Sequence, residues 1–465
     1  MSAADPPMHP GPMMDLAEAA RLLGGRLEGR DTVFSGVTTD SRAVDAGDLF
    51  VALAGERFDG HAFVEEALRR GAAGALVARS LEATLPLSQV VVPDTRLALG
   101  QLAARWRERF AIPLVALTGS NGKTTVKEML RAILAAHDGS RDRVLATEGN
   151  LNNDIGMPLT LLRLRGRHRH AVIEMGMNHA DEIDYLTRIA RPTVALVNNA
   201  QRAHVGILGS LEAIARAKGE IYAGLREGGI AVVNADDAFA GYWTSLNTGR
   251  RVVRFGFAAA ADVRGVRSDD GIARISTPAA SFEVALRVPG EHNLRNALAA
   301  CAAAYALAIP VDAMRAGLAG FVGVPGRLQR RRSPSGAVVI DDTYNANPES
   351  MRAAIAVLAA EPGRRVFVMG DMGELGSEAP ELHAEVGEVA RRAGLDAMIA
   401  LGADSAHAAR AFGAGARYFE DVAAAAAAAR AEAVAGTTLL VKGSRFMRME
   451  RIVATLIPAG DADAL

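Results

Sequence analysis

The chain has 465 residues, 50% of them hydrophobic and 23% charged, a globular composition that excludes a disordered or collagen-like chain; at about 150 residues per domain it predicts about three domains. Lys and Arg total 52 against 53 Asp and Glu, a formal net charge of −1, so no global field draws in nucleic acid or anionic lipid, and an anionic ligand must be caught by a local site. The single cysteine, Cys301, excludes a disulfide scaffold or a cysteine zinc site and fits a reducing cytoplasm.

Residues 1–14 hold four prolines and no stretch suited to a signal peptide, and read as a flexible tail of a protein that is not exported. No run reaches the roughly 18 to 20 apolar residues of a spanning helix. Residues 15–108 alternate short apolar runs, such as 49–53 and 75–78, with Gly- and Asp-containing turns and read as a small α/β domain, ending in a helix over 101–110. Strand candidates at 114–117, 171–174, 193–198 and 229–234, separated by helical stretches, predict a mostly parallel sheet in a central domain spanning 109–323. Short alternating segments over 251–288 suggest antiparallel strands appended to that sheet, before a helix over 293–309. The strand–helix alternation resumes with strands at 337–340, 365–369, 397–400 and 438–441, a third, Rossmann-like α/β domain over 324–465.

The strongest chemical signal is Thr118-Gly119-Ser120-Asn121-Gly122-Lys123-Thr124-Thr125, set between a predicted strand and a predicted helix. Glycines let backbone N–H groups turn around an anion, the helix N-terminus adds partial positive charge, Lys123 faces phosphate oxygens and Thr124 suits magnesium. Leu117 stands where the general phosphate-loop pattern has its first glycine. Glu174 ends the strand over 171–174, at the edge where open α/β sheets bind ligands, and a carboxylate there suits a hard cation. His204 and Lys218, alone, carry little signal. The basic run 163–170 lacks interleaved aromatics and reads as a solvated connection. Gly370, Gly373 and Gly376 lack dinucleotide spacing.

Together with this loop, the runs Glu148-Gly149-Asn150-Leu151-Asn152-Asn153, Glu174-Met175-Gly176-Met177-Asn178-His179 and Gly290-Glu291-His292-Asn293-Leu294-Arg295-Asn296 resemble the Mur ligases, which build the peptide stem of bacterial cell-wall precursors. The runs 341–351, 370–376 and 442–445 narrow the resemblance to members that join D-alanyl-D-alanine to UDP-N-acetylmuramoyl-tripeptide. The resemblance implies ATP held between the central and C-terminal domains. Gly119, Ser120, Asn121, Gly122, Lys123, Thr124 and Thr125 would hold its phosphates, Asn293 and Asn296 would lie near adenine, and Arg327 and Asp342 would reach the nucleotide. It implies two magnesium ions on Thr124, Glu174, His204 and a carbamylated Lys218, with Lys123, Lys218, His204 and Glu174 as the catalytic set. Ser41 and Arg42 would sit near the uridine diphosphate, and Asn345 and Asn347, with Tyr344 and Arg445, would contact phosphate or dipeptide. A cytoplasmic monomer without nucleic-acid or membrane partners is expected.

Such a ligase transfers the ATP γ-phosphoryl to a carboxylate, and an amine then displaces phosphate, with no protein nucleophile. Water must be kept from the acyl phosphate, so closure of the third domain over the second is expected. A folylpolyglutamate synthetase-like enzyme, or a regulatory nucleotide-binding protein without catalysis, are the alternatives; the run 341–351 argues against the first.

Overall fold

The structure, a computed structural model, describes residues 11–457 except 56–57, 85, 204 and 268–270. It contains three main sheets in chain order, of five, nine and six strands. In the first, Gly36–Thr38, Asp48–Val51, Gly74–Val77 and Gln89–Val91 run parallel, and Arg26–Glu28 closes one edge antiparallel. The helix Thr95–Glu108 leads out of it. It starts earlier than the apolar pattern indicates because the Asp94 side chain accepts from the backbone N–H groups of Arg96 and Leu97.

The nine-stranded sheet carries the chemistry. Leu114–Thr118 pairs in parallel with His170–Glu174 on one side and Val194–Val197 on the other, placing Leu117 opposite both Glu174 and Leu196. All residues of these three strands are buried, as expected for parallel strands covered by helices on both faces. The register aligns three strand ends side by side, and the phosphate loop, Glu174 and the asparagines after Val197 emerge from one edge. Lys123–Asp138 and Glu291–Ala306 pack on the same face, with Cys301 and its alanine neighbours in the core between them and the sheet.

The six-stranded sheet runs Gln329–Arg332, Val338–Asp342, Thr437–Lys442, Arg364–Gly370, Ala397–Leu401 and Ala416–Phe419 in spatial order, parallel except for the first pair. This mixed α/β architecture is the expected fold class.

Several expectations are corrected. The tail reading over residues 1–14 lies outside the described residues up to residue 10; beyond that, Met13 and Met14 are buried and Met14–Asp15 pairs with Val33–Phe34. In the 251–288 stretch, Val252–Gly256 and Val263–Arg267 extend the parallel run, and only Ile272–Ser276 and Ser281–Ala285 are antiparallel. The basic run is not simply solvated. Arg165 Nη2 donates to the carbonyl of Ser35 in the first domain (2.6 Å), its guanidinium lies 5.7 Å from the Trp106 ring, and His168 is buried. No helix among the described residues is long and apolar enough to cross a membrane.

Candidate active site

The phosphate loop turns at Gly122, whose φ of 80° favours glycine and where a Cβ would fall 2.3 Å from Asn296 Oδ1 and 2.7 Å from Asn198 Nδ2. The helix Lys123–Asp138 begins at the next residue, so its first N–H groups face the loop. Lys123 Nζ curls back to donate to the Gly119 carbonyl (2.7 Å). Burial pulls its pKa below the usual lysine range, and the Glu174 charge opposes that shift. A polar lattice steadies the loop: Ser120 Oγ donates to the Gln201 carbonyl (2.9 Å), and Asn198 Nδ2 donates to the Asn121 carbonyl (2.9 Å) and to Asn296 Oδ1 (3.1 Å).

Glu174 is 2% exposed. Its Oε2 accepts from Thr124 Oγ1 (2.9 Å), its Oε1 accepts from Asn152 Nδ2 (2.9 Å), and its backbone N–H donates to Thr147 Oγ1 (2.9 Å). Lys218, in the helix Leu211–Gly219, is 2% exposed. Burial first, and the Lys123 charge second, bring its pKa well below the usual lysine range.

The C-terminal domain supplies the opposite wall. Arg327 Nη2 donates to Thr124 Oγ1 (2.8 Å), and its guanidinium lies 4.1 Å from the Tyr344 ring centroid. The Asp342 carboxylate pairs with Lys442 Nζ (2.7 Å); burial raises its pKa while Lys442 and Arg327 oppose the rise. Asn347 caps the helix Pro348–Ala359 and exchanges two side-chain hydrogen bonds with Asn121 of the phosphate loop, at 2.8 and 3.2 Å. The Asn345 carbonyl accepts from Lys442 Nζ (2.8 Å), and its Oδ1 accepts from the Arg445 backbone N–H (3.4 Å).

Between these walls lies a cavity of about 450 Å³ lined by Ser120, Asn121, Gly122, Lys123, Thr125, Glu174, Lys218, Asn293, Asn296, Arg327, Asp342, Tyr344, Asn345, Asn347 and Arg445. The structure thus gathers most of the expected site residues. His204 lies outside the described residues. Ser41 and Arg42 are in the first domain and do not line the cavity: Ser41 Oγ donates to Glu66 Oε2 (3.2 Å), and Arg42 pairs with Asp40 (2.8 Å).

Sequence reasoning missed the parts played by Asn152, Lys442 and Arg202. Asn152 and Lys442 fall inside the quoted motifs, but only the fold shows that one holds Glu174 and the other Asp342. Arg202 carries no motif and acts through charges on distant helices.

A magnesium ion fits this donor set. The Thr124 hydroxyl and the Glu174 carboxylate are hard oxygen donors within 2.9 Å of each other beside the phosphate loop. No cluster of three His, Cys, Asp or Glu able to cage an ion occurs among the described residues, but Mg²⁺ takes most of its ligands from phosphates and water.

A phosphate loop at the carboxyl edge of one parallel sheet, roofed by an Arg, an Asp and a helix cap from a second α/β domain, defines a nucleotide-binding protein whose site is assembled between domains. The chain belongs to the Mur ligase family: residues 33–107 match the Mur ligase family catalytic domain, residues 117–304 the Mur ligase middle domain and residues 326–445 the Mur ligase glutamate ligase domain. It is 45% identical over 450 residues to the UDP-N-acetylmuramoyl-tripeptide--D-alanyl-D-alanine ligase of Escherichia coli K12, covering 95% of this chain and 98% of that relative. Among solved structures it is similar to MurF from Acinetobacter baumannii, with a TM-score of 0.90 and 38% identity over 97% of this chain and 99% of that one. It is also similar to MurF from Thermotoga maritima in complex with ADP, with a TM-score of 0.78 and 30% identity over 90% and 96% of the two chains.

Proposed function

We propose that this protein is an ATP-dependent ligase that joins D-alanyl-D-alanine to UDP-N-acetylmuramoyl-tripeptide, giving the UDP-muramoyl-pentapeptide of peptidoglycan synthesis in the cytoplasm. The observation that carries this reading is the convergence of Lys123, Glu174, Arg327 and Asp342 on one cavity, with Thr124 bonded to both Glu174 and Arg327, in a chain with the likeness to the tripeptide ligases given above.

A carboxylate does not condense with an amine at neutral pH because its oxygen is a poor leaving group. Attack of the tripeptide carboxylate oxygen on the γ-phosphorus of ATP breaks the bond to ADP and forms an acyl phosphate. The dipeptide amine then attacks the acyl carbon, the tetrahedral adduct expels inorganic phosphate, and the amine gives up its proton. Lys123 and the loop N–H groups neutralise the phosphates, and Arg327 brings a second fixed positive charge from the other domain. Asn293 and Asn296, which line the cavity, are assigned to adenine, and Asp342, on the C-terminal wall, to the nucleotide. We assign Asn345 and Asn347 to phosphate or dipeptide, and Ser41 and Arg42, in the first domain, to the uridine diphosphate.

Thr124 and Glu174, with His204, would hold magnesium, which supplies charge neutralisation for the anionic reactants. Lys218 is assigned as a carbamate that ligates a second ion. Its burial favours the neutral amine, the form that adds to carbon dioxide, losing one proton as the N–C bond forms. Phosphate release from purified protein and ATP is expected only when both UDP-N-acetylmuramoyl-tripeptide and D-alanyl-D-alanine are present. Release with neither, or with a folate polyglutamate instead, would reject the reading.

A further inference from the structure

Lys127 stands one helical turn beyond Lys123 on the phosphate-loop helix and is 1% exposed. It does not line the cavity. Its Nζ donates to the carbonyl of Thr147, and its ionic partner is the neighbouring Glu128 (3.1 Å), which also pairs with Arg141 (2.8 Å). Taking an ammonium out of water is costly, and a hydrocarbon chain of similar size would fill the same space without that cost. What the lysine adds is the ion pair with Glu128 of its own helix and the bond to Thr147, and only the second reaches another segment.

Thr147 is a hub for Glu174. Its hydroxyl accepts from the Glu174 backbone N–H (2.9 Å), and its own N–H donates to the Val172 carbonyl two residues earlier on the same strand (3.1 Å). Five residues on, Asn152 donates from its side chain to Glu174 Oε1 (2.9 Å) and accepts at its carbonyl from the Gly176 N–H (2.8 Å). The backbone of Glu174 and one of its carboxylate oxygens are therefore both anchored to the segment 147–152, and Lys127 fastens the start of that segment to the helix bearing Lys123 and Thr124.

We propose that Lys127 is a positioning residue that ties the segment 147–152 to the phosphate-loop helix and so aims the Glu174 carboxylate at the magnesium ion that accompanies the nucleotide. This rests on the assignment of Glu174 as a metal carboxylate. Groups that orient a metal ligand without touching the metal commonly change metal affinity by about 10- to 100-fold when removed.

The test is calorimetric titration of ADP into the full-length protein across a magnesium series, with Lys127→Met, Lys127→Arg, Thr147→Val, Glu174→Gln and the Lys127→Met/Glu174→Gln double variant. The half-saturating magnesium concentration is expected to rise about tenfold in Lys127→Met and Thr147→Val, with magnesium-free ADP affinity unchanged and most of the loss recovered by Lys127→Arg. In the Glu174→Gln background, Lys127→Met should add nothing further, because it acts through that carboxylate. An unchanged magnesium requirement in Lys127→Met, or effects of Lys127→Met and Glu174→Gln that add, would overturn the proposal. Should Lys127→Met fail to fold, an unchanged requirement in Thr147→Val overturns it alone. If Glu174→Gln itself binds magnesium-ADP like the parent protein, the metal-carboxylate assignment fails and the role of Lys127 fails with it.

Discussion

Arg327 of the C-terminal domain donates from Nη2 to Thr124 Oγ1 of the central domain (2.8 Å), and the same hydroxyl donates to Glu174 Oε2 (2.9 Å). One hydroxyl thus joins the domain interface to the carboxylate assigned to the metal. In the proposed reading a nucleotide and its ion entering this corner would take over the contact, and Arg327 would exchange a protein oxygen for a phosphate oxygen while the domains stay engaged. Arg327→Ala is expected to lower kcat/KM for ATP by about 100-fold with little change in melting temperature, measured by coupled ADP release. Arg327→Lys should recover little, because an ammonium cannot reproduce the planar fork stacked on Tyr344.

In the proposed mechanism Lys123 is the group on which phosphoryl transfer would depend most. Its ammonium now lies against the Gly119 carbonyl, a neutral partner that phosphate oxygens outcompete. Lys123→Ala should reduce turnover by about 1000-fold or more, with binding of UDP-N-acetylmuramoyl-tripeptide retained, since that substrate is assigned chiefly to another domain. Turnover at the parent rate would remove Lys123 from the mechanism.

For Lys218, the expected variant behaviour separates a carbamate from an ordinary buried lysine. Lys218→Ala should be inactive and partly restored by a short carboxylate such as acetate, which can occupy the space of the missing anionic group. Restoration by methylamine and not by acetate would show instead that a cation acts at this position.

Much of the site was legible because its chemistry is local in sequence. The loop 118–125 spells a phosphate cradle, and Glu174 closes an apolar run, so strand pairing carried both to one edge. The fold class was legible for the same reason, since buried parallel strands read as uninterrupted apolar segments. Edge strands were harder: Val144–Ala146 and Ala416–Phe419 are only three and four residues long, and the second is not apolar enough to stand out. The parallel pairing of Val252–Gly256 was missed because alternating patterns point to antiparallel strands when one face is solvated. Asn152, Lys127 and Arg202 were illegible for another reason: each acts on a partner supplied by tertiary structure.

Arg202 shows this across the largest sequence separation. It follows the strand end of the central domain and donates from Nε to Glu349 Oε1 (2.6 Å) and from Nη1 to Glu385 Oε2 (3.3 Å), while Arg352 contacts both carboxylates. Exposed ion pairs contribute little, but this network is partly buried and spans the cleft. Arg202→Ala is expected to raise KM for ATP severalfold and to increase the radius of gyration measured by solution scattering without nucleotide. Raising salt to about 0.5 M should shrink the difference between the variant and the parent protein, because screening weakens the parent's pairs.

The basic run contains a buried histidine that couples stability to pH. His168 Nδ1 accepts the backbone N–H of Arg165 (3.0 Å), so the folded state needs this nitrogen unprotonated. Burial first, then the charges of Arg167, Arg165 and Arg163, depress its pKa to about 4 from an ordinary 6.5. In the unfolded chain the imidazole binds its proton near pH 6.5, whereas the folded protein refuses it until about pH 4. Between those values the unfolded state holds more protons, so the histidine's contribution to stability is complete above pH 6.5 and is lost as pH falls toward 4. His168→Asn keeps an acceptor near the Arg165 N–H and removes the titration. Melting temperatures measured from pH 7 to pH 4 should therefore fall less steeply in His168→Asn than in the parent protein, and parallel curves would show that His168 is not the group responsible.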